Sequence, residues 1–317
     1  TNLFVAWAIF FALRTQDTGK LWDYAAFGVA LGASVASRVN AAPLAAVIAV
    51  VAIVRILPAL DRDLAWRERS RIWNRNVGGV ILAAILSLVV FRLFNPYAFS
   101  GPYIFGILPY DRFLDTLANS RNMVSGDADW APNWQWANRA SYLFSFQNIV
   151  LWGLGIALGV TAWVVWAFSG WRILRGKVDA LRQLVPFVWI LGYFAFAGGL
   201  WVMSMRYYMP LYPSLVLLAA WGLVEFVRRA YMPSTTLLRK GLAPLLLIGV
   251  VGFTLIWGAM FTNIYRHMAT FTQASHWVWE NLPGDFYMRI DGADPDVPLV
   301  NIPLWNTGTS SSTPIED

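Results

Sequence analysis

Three arginines stand at the ends of long apolar runs, where a permanent positive charge has a chemical use. They are Arg206 in SMRYYMPLYP (204–213), Arg38 in ASRVNAAP (36–43) and Arg92 in VVFRLFNPYAF (89–99). A guanidinium keeps its charge and binds phosphate through paired hydrogen bonds. We interpret the three as a candidate lipid-phosphate site. The alternative is that each side chain reaches the headgroup layer by itself.

The segment around Arg206 carries further polar groups. The hydroxyls of Tyr207 and Tyr208 could donate to a phosphate oxygen or to a sugar. Pro210 and Pro213 suit a helix that starts abruptly, because proline is tolerated in a first helical turn.

A second group lies in the long loop 95–148, where acidic, amide and indole side chains occur together. Asp127 and Asp129 are candidate general bases toward a sugar hydroxyl. The candidate sugar-binding or acceptor-binding residues are Trp134, Gln135, Trp136 and Arg139. The two aspartates could also hold a divalent cation, although two carboxylates are few for such a site, and no other cofactor or metal is expected. The alternative is an amphipathic segment with its tryptophans, including Trp130, at the headgroups.

Membrane helices would have to position these groups. Hydrophobic residues make up 58% of the chain and charged residues only 13%, about half the charged share of a soluble domain. Eight apolar runs approach the length of a spanning helix: 2–13, 22–37, 41–58, 77–94, 149–168, 184–203, 209–227 and 241–261. We therefore predict an all-α polytopic membrane protein, a transmembrane helix bundle with a long ordered loop.

The basic residues predict the orientation of the bundle. Sixteen Lys and Arg fall in the alternate connections 14–21, 55–76, 169–183 and 227–240, against eight in the rest of the chain. Because cytoplasmic loops are enriched in Lys and Arg, we place these four inside the cell. The loop 95–148 and the tail then lie outside, in a multi-pass protein of the cell membrane.

The sequence also suggests two regions and excludes several functions. Residues 1–262 form the bundle, and 263–317 form an outer tail that we expect to contain a small strand pair. Since Thr1 lies inside an apolar run, we expect an amino-terminal part to precede it. The chain has no cysteine for a nucleophile or a thiolate site, and its two histidines lie outside the apolar runs, which argues against haem. The basic excess lies in predicted cytoplasmic loops, so we expect no nucleic-acid partner.

Several stretches resemble polyprenyl-phosphate-dependent GT-C glycosyltransferases related to protein mannosyltransferases, and more closely their YYY-domain subgroup. RYYMPLYPSLVLLAAWGL (206–223) is similar to the family's R-Y-x-x-P-x-Y-P segment, and GVALGASVASRVNAAPL (28–44) to its G-x-x-x-G-x-A-x-x-(K/R) turn. Four further stretches resemble the subgroup: FNPYAFSGPYIFG, SGDADWAPNWQWANR, NIVLWGLGIALG and TQASHWVWENLPGD.

This resemblance implies a GT-C-like helix bundle whose active site faces outside. Such enzymes take a sugar from a polyprenyl-phosphate carrier and pass it to an acceptor. Arg206 and Tyr207 match the R-Y motif and Arg38 matches the basic turn. The resemblance also implies a catalytic acid in an outer loop near the amino terminus, ahead of Thr1.

Two functions remain open at this point. The first is a membrane glycosyltransferase whose partners are a lipid-linked sugar and membrane lipids. The alternative is a non-catalytic structural subunit of a larger membrane complex, with membrane-protein partners and a GT-C-derived fold.

The predicted orientation can be tested by labelling single cysteines, because the chain has none of its own. A reagent that cannot cross the membrane is expected to modify Ser125→Cys from outside and to leave Ser70→Cys unmodified. The reverse labelling pattern would contradict the orientation.

Overall fold

The computed structural model describes residues 1–61, 63–101, 106, 108–127, 131–233 and 236–281. Apart from one antiparallel bridge between Phe99 and Pro109, the regular elements of these residues are helices. The α-helices are α1 (Asn2–Thr18), α2 (Leu21–Ser37), α3 (Ala45–Ile56), α4 (Trp66–Phe94), α5 (Asp111–Ser125), α6 (Leu143–Asn148), α7 (Ile156–Leu174), α8 (Leu184–Gly198), α9 (Tyr212–Ala230), α10 (Leu237–Thr262) and α11 (Thr270–Asn281). The all-α prediction is confirmed for this part of the chain.

Short 3-10 helices link or extend the α-helices. They are Val39–Leu44, Leu57–Leu60, Pro96–Ala98, Ala131–Trp136, Val178–Gln183, Met205–Tyr207, Met209–Leu211 and Asn263–Arg266, and one π-helical turn covers Ile149–Gly153. Several of them extend an α-helix beyond its own ends and so lengthen the apolar stretch.

Six helical stretches in the described residues are long and apolar enough to cross a membrane. They are Val39–Leu60, Trp66–Phe94, Ile156–Leu174, Val178–Gly198, Met209–Ala230 and Leu237–Arg266. The chain therefore has the architecture of a multi-pass membrane protein. The two remaining predicted segments do form helices, α1 and α2, but each has 17 residues. That is about 25 Å of helix, less than the roughly 30 Å of a bilayer core.

Two of the predicted boundaries were wrong. Most of the arginine-rich run 62–75, predicted as a loop, is the first part of α4, because its Arg and Glu residues are good helix formers. The segment predicted at 149–168 becomes regular α-helix only at Ile156. Gly155 precedes it with φ +78°, a conformation that glycine adopts without strain and that interrupts the helix.

The chain divides into two compact units, Thr1–Thr254 and Leu255–Asp317. In the first unit the core lies between α1, α2, α3, α7, α8 and α9, and its largest fully buried side chains include Tyr24, Phe27, Tyr193 and Tyr208. In the second unit the described residues are helical, which corrects the predicted strand pair for Thr270–Asn281. Residues 282–317 lie outside the described residues.

Small residues allow α2 to lie directly on α4. A Cβ atom on Gly28 would stand 2.4 Å from the carbonyl oxygen of Ala83, and one on Gly32 would stand 2.5 Å from that of Ser87. The two backbones therefore approach closely, as small residues four apart allow in lipid.

The connections of the bundle lie at two ends, as the alternating topology requires. At one end Arg55 donates to the Gln16 carbonyl (2.5 Å), and Gln16 donates to the Leu181 carbonyl (2.6 Å). At the other end Arg38 donates to the Arg206 carbonyl (2.7 Å). We call the end formed by the described residues of 14–21, 55–65 and 175–183 the arginine-rich end, and the end formed by the described residues of 38–44, 95–148 and 199–211 the loop end.

The packing of α2 on α4 predicts the effect of adding one methyl group. Gly28→Ala is expected to destabilise the protein by about 1–3 kcal/mol, because the new Cβ meets backbone that cannot move aside. Gly78→Ala on α4 is the matched control, since open space surrounds that position. Thermal unfolding in detergent would show a lower midpoint for Gly28→Ala only; equal midpoints would contradict the close approach.

Candidate functional site

The segment SMRYYMPLYP breaks the helical bundle at the loop end. It consists of the 3-10 turns Met205–Tyr207 and Met209–Leu211, followed directly by α9. Pro210 and Pro213 each occupy the first positions of a helix, where a missing N–H leaves no hydrogen bond unmade. The abrupt helix start predicted from the prolines is confirmed.

Side chains from other helices bind the carbonyl groups of this broken segment. Arg38 donates to the carbonyl of Arg206 (2.7 Å) and Tyr193 to that of Tyr207 (2.8 Å). Trp189 donates to the carbonyl of Pro210 (3.0 Å). Irregular backbone at membrane depth is tolerated only where protein or water satisfies its polar groups. These three donors therefore hold the segment in place.

Two of the three predicted arginines meet at one aromatic ring. The guanidinium carbons of Arg38 and Arg206 lie 5.4 Å and 5.3 Å from the ring centroid of Tyr207. The two guanidinium carbons are thus no further apart than the sum of these two distances. Arg206 is exposed and Arg38 is half-buried. Arg206 can present N–H groups to an anion, since a guanidinium has five donors, and Arg38 adds a second positive charge near the same ring.

Arg92 has a different environment from the one we expected. It is 9% exposed, and its guanidinium lies 5.2 Å from the ring centroid of Phe99. It donates to the carbonyls of Gly106 (2.7 Å) and Pro96 (3.4 Å). Its described contacts attach the loop 95–148 to the end of α4. We predicted one site for Arg92 and Arg206, but these contacts join Arg92 to the loop instead.

A cavity of about 500 Å³ lies beside Arg206 at the loop end. It joins the two groups of residues singled out in the sequence, the R-Y motif and the tryptophan-rich loop. Its lining residues in the described part of the chain are Ser120, Met123, Val124, Asn133, Gln135, Trp136, Val202, Ser204, Arg206 and Tyr207. Arginine, amide, hydroxyl and indole groups therefore converge on one space.

Hydrogen bonds attach the loop to the segment after α8 and so form the cavity wall. The backbone N–H of Val202 donates to the Val124 carbonyl (3.2 Å), and the indole of Trp201 donates to the Asn133 carbonyl (3.1 Å). Gly126 has φ +91°, and a Cβ there would lie 2.6 Å from the Trp201 ring. Only glycine fits this turn without strain.

The other predicted loop residues lie outside the described cavity lining. Trp134 is 67% exposed, whereas Trp136, which lines the cavity, is half-buried. The guanidinium of Arg139 lies 5.0 Å from the ring centroid of Phe144. Arg139 is not among the described lining residues of the cavity.

The structure describes only one of the two candidate general bases, Asp127. Asp127 is exposed and accepts a hydrogen bond from the Ser125 hydroxyl (2.6 Å). Asp129 and Trp130 lie outside the described residues. Within the described residues, three or more His, Asp or Glu side chains do not gather anywhere in a way that could hold a metal ion.

Tyr208, whose hydroxyl was a candidate donor to a phosphate or a sugar, is buried. It is 1% exposed, and its hydroxyl donates to the Ala197 carbonyl (2.9 Å) while it lies 2.6 Å from the Ser145 hydroxyl. Burial raises the pKa of Tyr208, so the group stays protonated and keeps donating. Its contacts tie the broken segment to α6 and α8.

Tyr142 is a loop-end residue that the sequence analysis did not find. It has φ +62°, its backbone N–H donates to the Gly198 carbonyl (3.0 Å), and its hydroxyl donates to the Ala195 carbonyl (3.0 Å). A Cβ on Gly198 would lie 2.5 Å from the Tyr142 ring. The Gly198-Gly199 pair is the sequence signal that marks this contact.

Comparisons of the chain with models of known families, with curated proteins and with solved structures found no match. The resemblance to the GT-C glycosyltransferases therefore stays a prediction.

The hydrogen bond from Tyr193 to the broken segment can be tested by removing one oxygen atom. Tyr193→Phe leaves the Tyr207 carbonyl without this donor in a buried place and is expected to cost about 1–3 kcal/mol of stability. Tyr97→Phe, at a side chain that is 86% exposed, is the control and is expected to change little. Thermal unfolding of both variants in detergent measures the difference, and an unchanged midpoint for Tyr193→Phe would contradict the proposed support.

Proposed function

We propose that the protein is a membrane glycosyltransferase that takes a sugar from a polyprenyl-phosphate carrier at the cavity beside Arg206. The observation that carries this proposal is the convergence of Arg206 and Tyr207 with Gln135 and Trp136 on that one cavity. In this proposal the loop end faces outside the cell, as the distribution of Lys and Arg predicts.

The pair of arginines supports binding of a lipid phosphate. Arg206 is exposed, and Arg38 shares with it the ring of Tyr207. A membrane-embedded phosphate lies at the depth of helix ends, where these two residues stand. Because a guanidinium binds two phosphate oxygens in a fixed geometry, the carrier phosphate would be oriented as well as attracted.

The remaining cavity wall supports binding of the attached sugar. The volume of about 500 Å³ falls within the usual 300–1,000 Å³ of small-ligand sites. The indole of Trp136 offers an apolar face, while Gln135 and Ser204 offer hydrogen-bonding groups. A sugar presents both kinds of surface.

The general base is the least determined part of this proposal. The cavity lining in the described residues contains no carboxylate. Asp127, close in sequence to the lining residue Val124, stays a candidate, and Asp129 lies outside the described residues. The same observation favours a second candidate function, a non-catalytic subunit that binds the carrier without transferring its sugar.

The donor site is tested by varying Arg206 and measuring affinity for a polyprenyl phosphate in detergent. A charge-assisted hydrogen bond contributes about 1.5–3 kcal/mol, so Arg206→Ala is expected to weaken binding roughly ten- to a hundredfold. Arg206→Lys is expected to recover only part of the loss, because an ammonium cannot form the paired contact.

Arg112→Ala is the matched control, since Arg112 is exposed on α5 and lies outside the cavity lining. Equal affinities for Arg206→Ala and Arg112→Ala would overturn the donor site. Transfer from a labelled polyprenyl-phosphate sugar is measured in parallel. If carrier binding depends on Arg206 but the protein transfers no sugar, the proposed glycosyltransferase activity is contradicted. The non-catalytic subunit is then supported.

A further inference from the structure

A larger cavity, of about 750 Å³, opens at the arginine-rich end. It lies among α1, α7, α8, α9 and the 3-10 turn Val178–Gln183. Its described lining residues are Leu13, Arg172, Val178, Asp179, Arg182, Gln183, Pro186, Leu217, Leu218, Trp221, Glu225 and Arg228. The glycosyltransferase proposal makes no use of this cavity.

The lining changes from charged to apolar along α9. Arg228 and Glu225 stand near the end of this helix, Trp221 follows one turn deeper, and Leu217 lies deeper still. Leu217 and Arg228 are eleven positions apart, which is about 16 Å along the helix. One wall therefore offers an ion-binding mouth and an apolar interior, as an amphiphilic ligand requires.

The charges at the mouth are partly neutralised within the protein. Arg172 is 6% exposed, pairs with Asp179 and lies 5.7 Å from the ring centroid of Trp221. Glu225 accepts hydrogen bonds from both Arg228 (2.8 Å) and Arg229 (2.6 Å).

Arg182 is the cation most available to a ligand. Its side chain is 80% exposed, and its ion pair with Asp17 measures 3.9 Å. A pair so exposed contributes little. The lining has three arginines against two carboxylates, so the mouth retains positive charge.

An unsatisfied acceptor lies in the same wall. Gln183 is 5% exposed, and its Oε1 atom is buried without a hydrogen-bond partner in the described residues. A buried acceptor without a partner lowers the stability of the fold by about as much as a lost hydrogen bond. Gln183 belongs to the cavity lining, so a ligand hydroxyl that reached this oxygen could donate to it.

We propose that this cavity binds an anionic phospholipid with a hydroxyl-bearing headgroup, such as phosphatidylglycerol. The phosphate lies between Arg182 and Arg228, and an acyl chain follows α9 toward Leu217. Basic pockets between membrane helices bind anionic headgroups in this way. A soluble anion would contact the same arginines but would leave the apolar interior empty.

The proposal is tested by titrating the purified full chain in detergent with phosphatidylglycerol or phosphatidylcholine and counting bound lipids by native mass spectrometry. Phosphatidylglycerol is expected to bind more tightly. Arg182→Gln with Arg228→Gln is expected to weaken it about 30-fold, since each arginine near a lipid phosphate contributes about a fivefold factor. Leu217→Trp is expected to weaken it too, by filling the interior without changing any charge.

Arg175→Gln with Lys177→Gln is the matched control, because it removes the same charge from the same end outside the cavity lining. An equal loss in this control would overturn the site, and so would unchanged binding in the Arg182 and Arg228 double variant. Displacement of phosphatidylglycerol by glycerol phosphate at equal concentration would show a soluble-anion site instead. None of these readouts depends on sugar transfer or on Arg206.

Discussion

The loop end depends on one physical constraint, the need to satisfy the carbonyl groups of a backbone segment that is not α-helical. Residues 204–211 leave regular α-helix between two apolar stretches. Arg38, Tyr193 and Trp189 supply donors from α8 and from the turn after α2. Because the cost of an unpaired carbonyl in lipid is several kcal/mol, these donors hold the segment in one conformation. The position of Arg206 follows from that conformation.

The same constraint explains why the loop 95–148 can form a cavity wall. A loop of this length would be mobile if it were attached only at its ends. Instead the Trp201 indole and the Val202 N–H bind it near the middle, while Arg92 and Tyr142 bind it near its two ends. Each of the four attachments includes a backbone group of the loop, and Tyr142 adds its own ring and hydroxyl. Gln135 and Trp136 are thereby presented to the cavity by a backbone that is fixed elsewhere.

Much of the fold was predictable because apolar run length is a strong signal in a membrane protein. In the described residues the helices formed where the apolar runs lie. Boundaries were less predictable, since Gly155 could equally have continued a helix in lipid. Arg38 and Arg206 both lie near the Tyr207 ring, but of the two only Arg206 is among the described lining residues of the cavity. The environment of Arg92 could not be predicted from its depth in the membrane, because depth does not specify whether a guanidinium contacts a ligand or a loop carbonyl. Tyr142 was missed because its role lies in its backbone conformation.

The contacts of Arg38 give the two arginines different roles at the proposed donor site. One N–H of Arg38 is committed to the Arg206 carbonyl, and its guanidinium lies near the Tyr207 ring. Arg206 is the more exposed cation, and its own backbone is what Arg38 holds. A carrier phosphate would therefore meet Arg206 directly, whereas Arg38 would act both as a second positive charge and as the group that positions the first. Removal of Arg38 would disturb the geometry and the charge together, so Arg206 is the residue at which phosphate recognition can be separated from support of the backbone.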